Sequence, residues 1–570
     1  MPVAEGRLDY FNRQTSAMRK ERESFITHYQ ELAEFTQPRR GRFYIQDRNK
    51  GDKRWNKIIN SRATQALRKS RAGMHAGVMS AARPWFALET PDPDMMEFAP
   101  VKVWLYRVEQ LMRAVLNASN FYNMAPTLIG ELILFGTGAM LHVDDFEDVA
   151  RFYTFTAGSY MLGQNHRLQV QTLAREYEMT ALQMVGEFGL DRVSPTVRRA
   201  YDNSDYNGWY PVTHFIEKNP EADETKKTAE FMPFRSVYYE PGGEKNPSKG
   251  DGLLKKSGFL EFPAYCPRWD VTGEDIYGTD CPAMQALGDI KGLQIQERRK
   301  AQGLDKMINP PLVGPAAVRN IPLTSLPGGA NLYDGNPQGV KLAPLYQVNP
   351  PFGELSQDMQ RVERRIDEAF YVDLFLAITN MEGIQPKNQF ELAQRDQERL
   401  LQLGPVLERL HNEFAGLMIT RLFNQLVRAD LLKGGLAPPP ELAGVDLKIS
   451  YISTLAMAQR AVASRAIDDM AAFVSGLMAA GMTDAADKFD YDQAIDERAA
   501  VTGVPPRLIV PDEIVVQKRQ KREQQAQQAQ QLAMAQSAAT TGKTLADTQT
   551  GDPSMLTAVN DTIKKRTGAQ

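Results

Sequence analysis

Residues 354–375, ELSQDMQRVERRIDEAFYVDLF, are followed at 376–388 by LAITNMEGIQPKN. In the first stretch Leu355, Met359, Val362, Ile366 and Phe370 recur at spacings of three and four, which sets them along one seam of an α-helix. That seam has to pack against neighbouring helices, within or between copies of the chain. The second stretch cannot continue the helix cleanly: Gly383 favours a break, and Pro386 lacks an amide hydrogen and clashes with the preceding turn. A loop is expected there. Helical spacing returns from Gln389 to Leu432, with Leu403, Leu407, Leu410, Phe414, Leu417 and Phe423 assigned to one side, and stops at Gly434-Gly435 ahead of Pro438 to Pro440. Upstream, Ala283 to Ile308 is helical, and Pro310 to Pro351 is too rich in proline and glycine to be so. The order is helix, irregular connection, helix, loop, helix.

Toward the N-terminus, residues 14–36 form an amphipathic helix through Phe25, Tyr29, Leu32 and Phe35, ending at Pro38. The basic, glycine-broken Arg39 to Trp55 reads as a loop. Helices are expected at Ile58 to Ser80, at Val101 to Ser119 and at Phe121 to Phe135. From Thr137 to Tyr265 the pattern becomes mixed, with strands expected at Ala139 to Val143, Val149 to Phe155, Trp209 to Ile216 and Phe231 to Tyr239. Toward the C-terminus come a short strand, Val445 to Ile452, and a small helical bundle at 456–503. A charged and then Gln/Ala-rich helix starts near Val515, and composition predicts disorder from roughly residue 537. The fold class is α+β, mostly helical.

With 570 residues the chain allows about four folding units at roughly 150 residues each. Its 67 basic and 70 acidic side chains leave a net charge of −3, which excludes coating of nucleic acid through bulk positive charge. Two cysteines, Cys266 and Cys281, are too few to staple such a chain and fit a reducing compartment. The six histidines are scattered, no pair has the spacing that places two imidazoles on one helical face, and no metal site is expected. No signal peptide or membrane span is expected, because Glu131 and glycines interrupt the most apolar stretch, Leu128 to Leu141.

No catalytic residues and no cofactor are expected. Gly542-Lys543-Thr544 lacks the earlier glycine of a phosphate loop, since Ser537 stands there, and no strand precedes it. Gly136-Thr137-Gly138 reads as a tight turn rather than a dinucleotide fingerprint, and there is no Gly-x-Ser-x-Gly elbow. The acidic clusters at Asp144 to Asp148 and Asp270 to Asp280 read as solvated loops. The basic residues are more suggestive: Lys291, Arg298, Arg299, Lys300 and Lys306 on one helix, and Arg361, Arg364 and Arg365 on the next. In a monomer they read as a solvated face balanced by Glu297, Asp305, Glu363, Asp367 and Glu368, whereas repeated around a ring they would make charged bands.

Several phrases, in this order, resemble the head-to-tail connector, or portal, proteins of short-tailed double-stranded DNA bacteriophages. They are Arg83-Pro84-Trp85-Phe86, Ser119-Asn120-Phe121-Tyr122, Phe135-Gly136-Thr137-Gly138, Tyr277-Gly278-Thr279-Asp280, Asn309-Pro310-Pro311-Leu312, Leu403-Gly404-Pro405-Val406, and Ile449-Ser450-Tyr451-Ile452-Ser453 with Leu455-Ala456 and Ala458-Gln459. The resemblance implies a cyclic ring, expected to be dodecameric, around a channel for double-stranded DNA held without sequence preference. It implies a wing at 1–279, a first stem helix at 280–308, a clip at 309–352, a second stem helix at 353–375 and a tunnel loop at 376–388. A return to the wing at 389–453, a helical crown at 454–535, which a helical barrel could lengthen, and a disordered tail at 536–570 would complete the chain.

Channel residues would be Asn380, Gln385, Lys387 and Asn388 in the tunnel loop and Lys291, Arg298, Arg299, Arg361, Arg364 and Arg365 on the stem. Subunit packing would fall to Leu355, Met359, Val362, Ile366 and Phe370. Expected partners are other copies of the chain, DNA, the terminase packaging motor, scaffold and major capsid proteins, a tail adaptor, and internal core or ejection proteins at the crown. The protein is expected at the portal vertex of the virion and, during assembly, in the host cytoplasm. Near-neutral charge suits a conduit, because each phosphate neutralised adds affinity that would stall sliding. Two rivals stay open: a tail or internal-core structural protein of similar composition, and, less favoured for want of a phosphate loop, the packaging ATPase.

Overall fold

The computed structural model describes residues 7–45, 51, 53–92, 95–96, 98–223, 225–226, 228–242, 252–308, 310, 312–313, 343–344, 351–375, 403–432, 436–442, 447–452, 454–482, 488–502, 508–510 and 512–547. For 99, 312, 343–344, 454–466, 500–502, 512–513 and 538–547 this covers the backbone alone. The expected tunnel loop and most of the expected clip lie outside the described residues.

The N-terminal part comprises α1 (Arg7–Thr36), α2 (Arg62–Val78), β1 (Phe86–Glu89), α3 (Ala99–Ala118) and α4 (Phe121–Phe135). The mixed part follows with β2 (Ala139–Asp145), β3 (Val149–Phe155), β4 (Tyr160–Gln164), β5 (Val170–Thr180), α5 (Ala181–Phe188), α6 (Pro195–Asp202), β6 (Trp209–Lys218), β7 (Phe234–Tyr239), β8 (Leu253–Phe259) and β9 (Ala264–Tyr265). Then come α7 (Pro282–Ile308), the ribbon β10 (Leu312–Val313) and β11 (Ala343–Pro344), α8 (Phe352–Ala369), and α9 (Gly416–Arg428), which continues the helix through 403–410. Last are β12 (Lys448–Tyr451), α10 (Thr454–Ala479), α11 (Tyr491–Thr502) and α12 (Asp512–Asp547).

Strands β4 to β8 form one antiparallel sheet in sequence order, and β3, β2 and β9 form a second. Two segments far apart in sequence are tied together by β1 and β12, which pair antiparallel with Phe86 opposite Tyr451. The main core lies among the helices, where Leu32, Met74, Val108, Leu132, Ile290, Ile366 and Met418 are all buried. Separate clusters line the sheets: Phe11 of α1 covers Phe215 and Tyr239, while α5 and α6 cover Val212 and Leu254.

One junction explains why α7 starts where it does. Helix α4 ends at Gly136, whose φ of 73° suits glycine, and a Cβ there would come within 3.2 Å of the Asp280 carbonyl oxygen. Thr137 Oγ1 accepts from the Gly278 amide at 2.7 Å, so the end of α4 and the start of α7 are held edge to edge.

The structure departs from the sequence reading at several points, among them strand β5, helices α5 and α6, and the strand expected from Phe231, which starts at Phe234. Helix α1 begins at Arg7, seven residues before the expected start, because Leu8 and Phe11 pack on the five-stranded sheet. The helix expected over 354–375 breaks after Ala369, and a single helical turn follows at 372–375. Tyr371 takes a φ of 55°, and the chain turns so that Ser70 Oγ donates to the Phe370 carbonyl and Phe375 packs where Gly73 has no side chain. In the run from 403 to 428, Leu417 is 51% exposed and Met418 is buried, because a π-turn at His411–Ala415 inserts one residue and rotates the seam. Finally, α12 continues to Asp547, past the point at which composition suggests a tail.

Candidate functional site

Helices α7 and α8 lie side by side and carry six of the candidate channel residues. The apolar seam of α8 closes onto the chain's own core: Met359, Val362, Ile366 and Phe370 are buried there and Leu355 is half-buried against it. Met359, Val362, Ile366 and Phe370 are buried without a second copy, so this part of the seam forms the base of the helix pair rather than a surface.

The pair is fixed to the body by a polar joint. Gln294, buried on the inward face of α7, accepts from the Ile59 and Asn60 amides at 2.7 and 2.8 Å and donates to the Asn60 carbonyl at 2.9 Å. The Asn60 side chain then bridges both helices, donating to Glu297 at 3.2 Å and Glu363 at 3.0 Å. Two residues on, Arg62 Nε donates to Asp367 at 2.9 Å, and a second guanidinium nitrogen meets the other carboxylate oxygen. A buried amide has to satisfy its donors and its acceptor, and this one does so by clamping loop to helix. Sequence reading passed over Asn60, Arg62 and Gln294; the available signal was a glutamine inside the apolar stripe Leu287, Ile290, Leu293.

The six candidate cations on α7 and α8 divide into two groups. Lys291 reaches Glu31 of α1 at 2.5 Å and lies 5.8 Å above the Phe35 ring, and its ammonium holds the Glu31 carboxyl below its usual range. Arg365 makes a two-pronged pair with Asp289 of α7, at 2.7 and 3.1 Å. Both are engaged inside the chain. Arg298, Arg299, Arg361 and Arg364 are exposed and make no ion pair among the described residues. Exposed Asp305, Glu354 and Glu368 are interspersed with them, so the surface is basic in patches rather than uniformly. Beyond the joint, Ile295, Met307 and Ile308 of α7 are exposed at 52%, 46% and 77%. The loop candidates Asn380, Gln385, Lys387 and Asn388 lie outside the described residues.

The groups with reactive potential are engaged structurally. Burial pushes the Cys281 thiol up to about 12 and raises that of Cys266 further. Asp144 accepts from Arg421 and Gln425, Asp145 caps the Glu147 and Asp148 amides, and Asp280 accepts from Gln285 at 2.6 Å. Among the described residues no three His, Cys, Asp or Glu side chains gather as a metal site, and no helix is long and apolar enough to cross a membrane.

The family model described as bacteriophage head to tail connecting protein matches residues 9–510. A portal protein of Salmonella phage epsilon15 is 42% identical over 559 residues, covering 98% of both chains. A probable portal protein of Bordetella phage BPP-1 is 40% identical over 543 residues, covering 95% of this chain and 96% of its own. A chain from the neck of an empty gene transfer agent particle aligns over 54% of this chain and 65% of that one, with 12% identity and a TM-score of 0.26. On the match across residues 9–510 and the two near-full-length relatives, the chain belongs to the bacteriophage head to tail connecting proteins, with the portal role at the head-tail junction of the capsid vertex.

Proposed function

We propose that this connector acts as a cyclic ring, expected to be a dodecamer, whose channel passes double-stranded DNA during packaging, retention and ejection. In this reading α7 and α8 are the stem, 309–352 the clip, 376–388 the tunnel loop and 454–535 the crown, with the wing built from 1–279 and 389–453. The packaging motor docks first and a tail adaptor later, scaffold and capsid proteins surround the ring, and core or ejection proteins meet the crown.

The observation that carries the reading is the division of the stem cations. Four arginines stay exposed and without an ion-pair partner among the described residues, on two helices clamped to the body, while neighbouring acids limit their grip. Such a surface attracts phosphates weakly, at any sequence, through screened interactions that fall off over about 10 Å at 0.1 M salt. The tunnel-loop residues Asn380, Gln385, Lys387 and Asn388 add transient phosphate contacts, and Gly383 with Pro386 lets the loop change shape as DNA passes. The protein itself performs no catalysis; the energy comes from the motor. Electron microscopy of the purified protein tests this directly. Rings with a central hole support the reading, and open tubes or fibres would instead favour a tail component.

A further inference from the structure

Among the described side chains, helices α10 and α11 bury little apolar surface between them. Among their described side chains only Val474 and Ala499 are buried apolar groups. Met470, Phe473, Met478 and Ile495 are exposed, Phe473 at 60% and Ile495 at 57%. Met470 and Phe473 stand three residues apart and half-buried Leu477 follows at four, so they make one stripe along α10 beside Val474. Among the described side chains, two modest buried groups do not offset the conformational entropy of ordering 467–479 and 491–499. Their remaining apolar partners must come from outside the pair.

Charge identifies what covers them. At the start of α12, exposed Lys518, Lys521 and Arg522 fall at three- and four-residue spacing, and none has a partner among the described residues. The matching exposed acids are Asp469 on α10 and Glu497 on α11. Within the chain, unlike charges already join these helices: Arg519 grips Asp492 at 2.7 and 2.8 Å, and Arg498 meets Asp468 at 2.9 Å. The cations left over therefore repeat, on the outside, the pairing used inside.

We propose that the stripe of Met470 and Phe473, with Ile495, is covered by the same helices of a neighbouring copy, Lys518, Lys521 and Arg522 of one copy facing Asp469 and Glu497 of the next. Unlike surfaces meeting head to tail generate a ring when the rotation closes. The inference rests on the ring reading. It adds that the apolar stripe on 467–479 and 491–499 is covered only on assembly, while the core of the wing and of α8 is closed within one chain.

Hydrogen exchange on the full-length protein, with particle mass measured in parallel, tests it. In wild-type rings the amides of 467–479 and 491–499 should exchange at least about tenfold more slowly than in Phe473→Asp, whose ring mass stays unchanged. A triple reversal, K518E/K521E/R522E, should cause the same loss, and adding D469K/E497K should restore protection. Equal protection in wild type and Phe473→Asp rings overturns the proposal and leaves the ring intact. So does a triple reversal that keeps protection while weakening binding of duplex DNA, which would assign the cations to phosphates. A wild-type protein that never forms rings removes the ring reading and this inference with it.

Discussion

The Tyr451 ring lies flat on the His411 imidazole, with centroids 3.7 Å apart and planes within 5°, and its hydroxyl donates to the His411 carbonyl at 3.2 Å. That carbonyl opens the π-turn, where the Gly416 amide also bonds to it. A π-turn is a poor stretch of helix by itself, so strand β12 holds it in place. A Cβ at Gly416 would come within 3.0 Å of the Tyr451 hydroxyl. Gly416→Ala should therefore destabilise by about 1–2 kcal/mol through overpacking, and Tyr451→Phe by about 1 kcal/mol through removal of the hydrogen bond. Both should speed exchange of amides 411–416, and unchanged exchange would show that Tyr451 does not hold the turn.

Ile366 is fully buried in the chain's own core. Ile366→Ala should cost about 2–5 kcal/mol of chain stability, and an aspartate there more, since a buried carboxylate has no partner. Chemical denaturation of the variant under conditions that keep it monomeric checks this. A variant of wild-type stability that failed only in assembly would mean the seam belongs between subunits.

Asp367 is nearly buried and relies on Arg62. Removing Arg62 as Arg62→Ala leaves a carboxylate without its partner and should cost about 2–3 kcal/mol. The double variant with Asp367→Asn should recover part of that loss, a coupling that a double-mutant cycle reads directly. Additive effects would deny the joint.

Stability should fall as the pH drops below about 6.5. His214, bonded to Ser236 at 2.8 Å, is held neutral by burial and by Arg175 and Lys255, which push it down to about 3. Burial lowers His142 and His75 as well, with Arg421 and Arg71 beside them. A histidine lowered in the folded state binds its proton only after unfolding, so its contribution is whole above the unfolded value of about 6.5 and declines as the pH falls toward the folded one. Each costs up to about 1.4 kcal/mol per pH unit over its window. Glu109 has the opposite sign: burial raises it to about 7, so its share is lost as the pH rises through that value. Melting at pH 7 and 5 should show a lower Tm at pH 5, with a smaller drop in His214→Asn; an equal drop would deny His214 its part.

Arg298, Arg299, Arg361 and Arg364 should matter to DNA, and Lys291 and Arg365 should not. Reversal of Arg298 and Arg364 to glutamate should weaken binding of duplex DNA and flatten its salt dependence, by about 0.9 in logarithmic slope for each phosphate that is no longer neutralised. Alanine at Lys291 or Arg365 should leave both unchanged. The opposite ranking would place the channel lining on another face of the stem.

Much of this architecture is legible because the phrases that resemble the family touch one another in the fold. Trp85 stacks on Phe121 and donates to the Tyr122 hydroxyl, its carbonyl accepts from Ile452, and Phe86 pairs with Tyr451. Three distant phrases thus meet at one tryptophan. What stayed hidden has physical causes too. Strand β5 carries Arg175 and Glu176, which look solvated, yet Arg175 lies between the Phe155 and Tyr177 rings and Glu176 is 3% exposed beside Arg19. Burial of paired charge erases the apolar alternation that marks a strand. The π-turn is silent because an added residue changes the phase of a helix without changing its composition. For the candidate site, cations could be found from sequence, but Glu31 and Asp289, which occupy Lys291 and Arg365, are known only from the fold.

Light scattering on the purified full-length protein at moderate salt tests the central claim most directly. A particle of about a dozen times the 63.9 kDa chain mass, unaffected by added ATP, is the expected result. A stable monomer, or a mass that changes with nucleotide turnover, would contradict the ring.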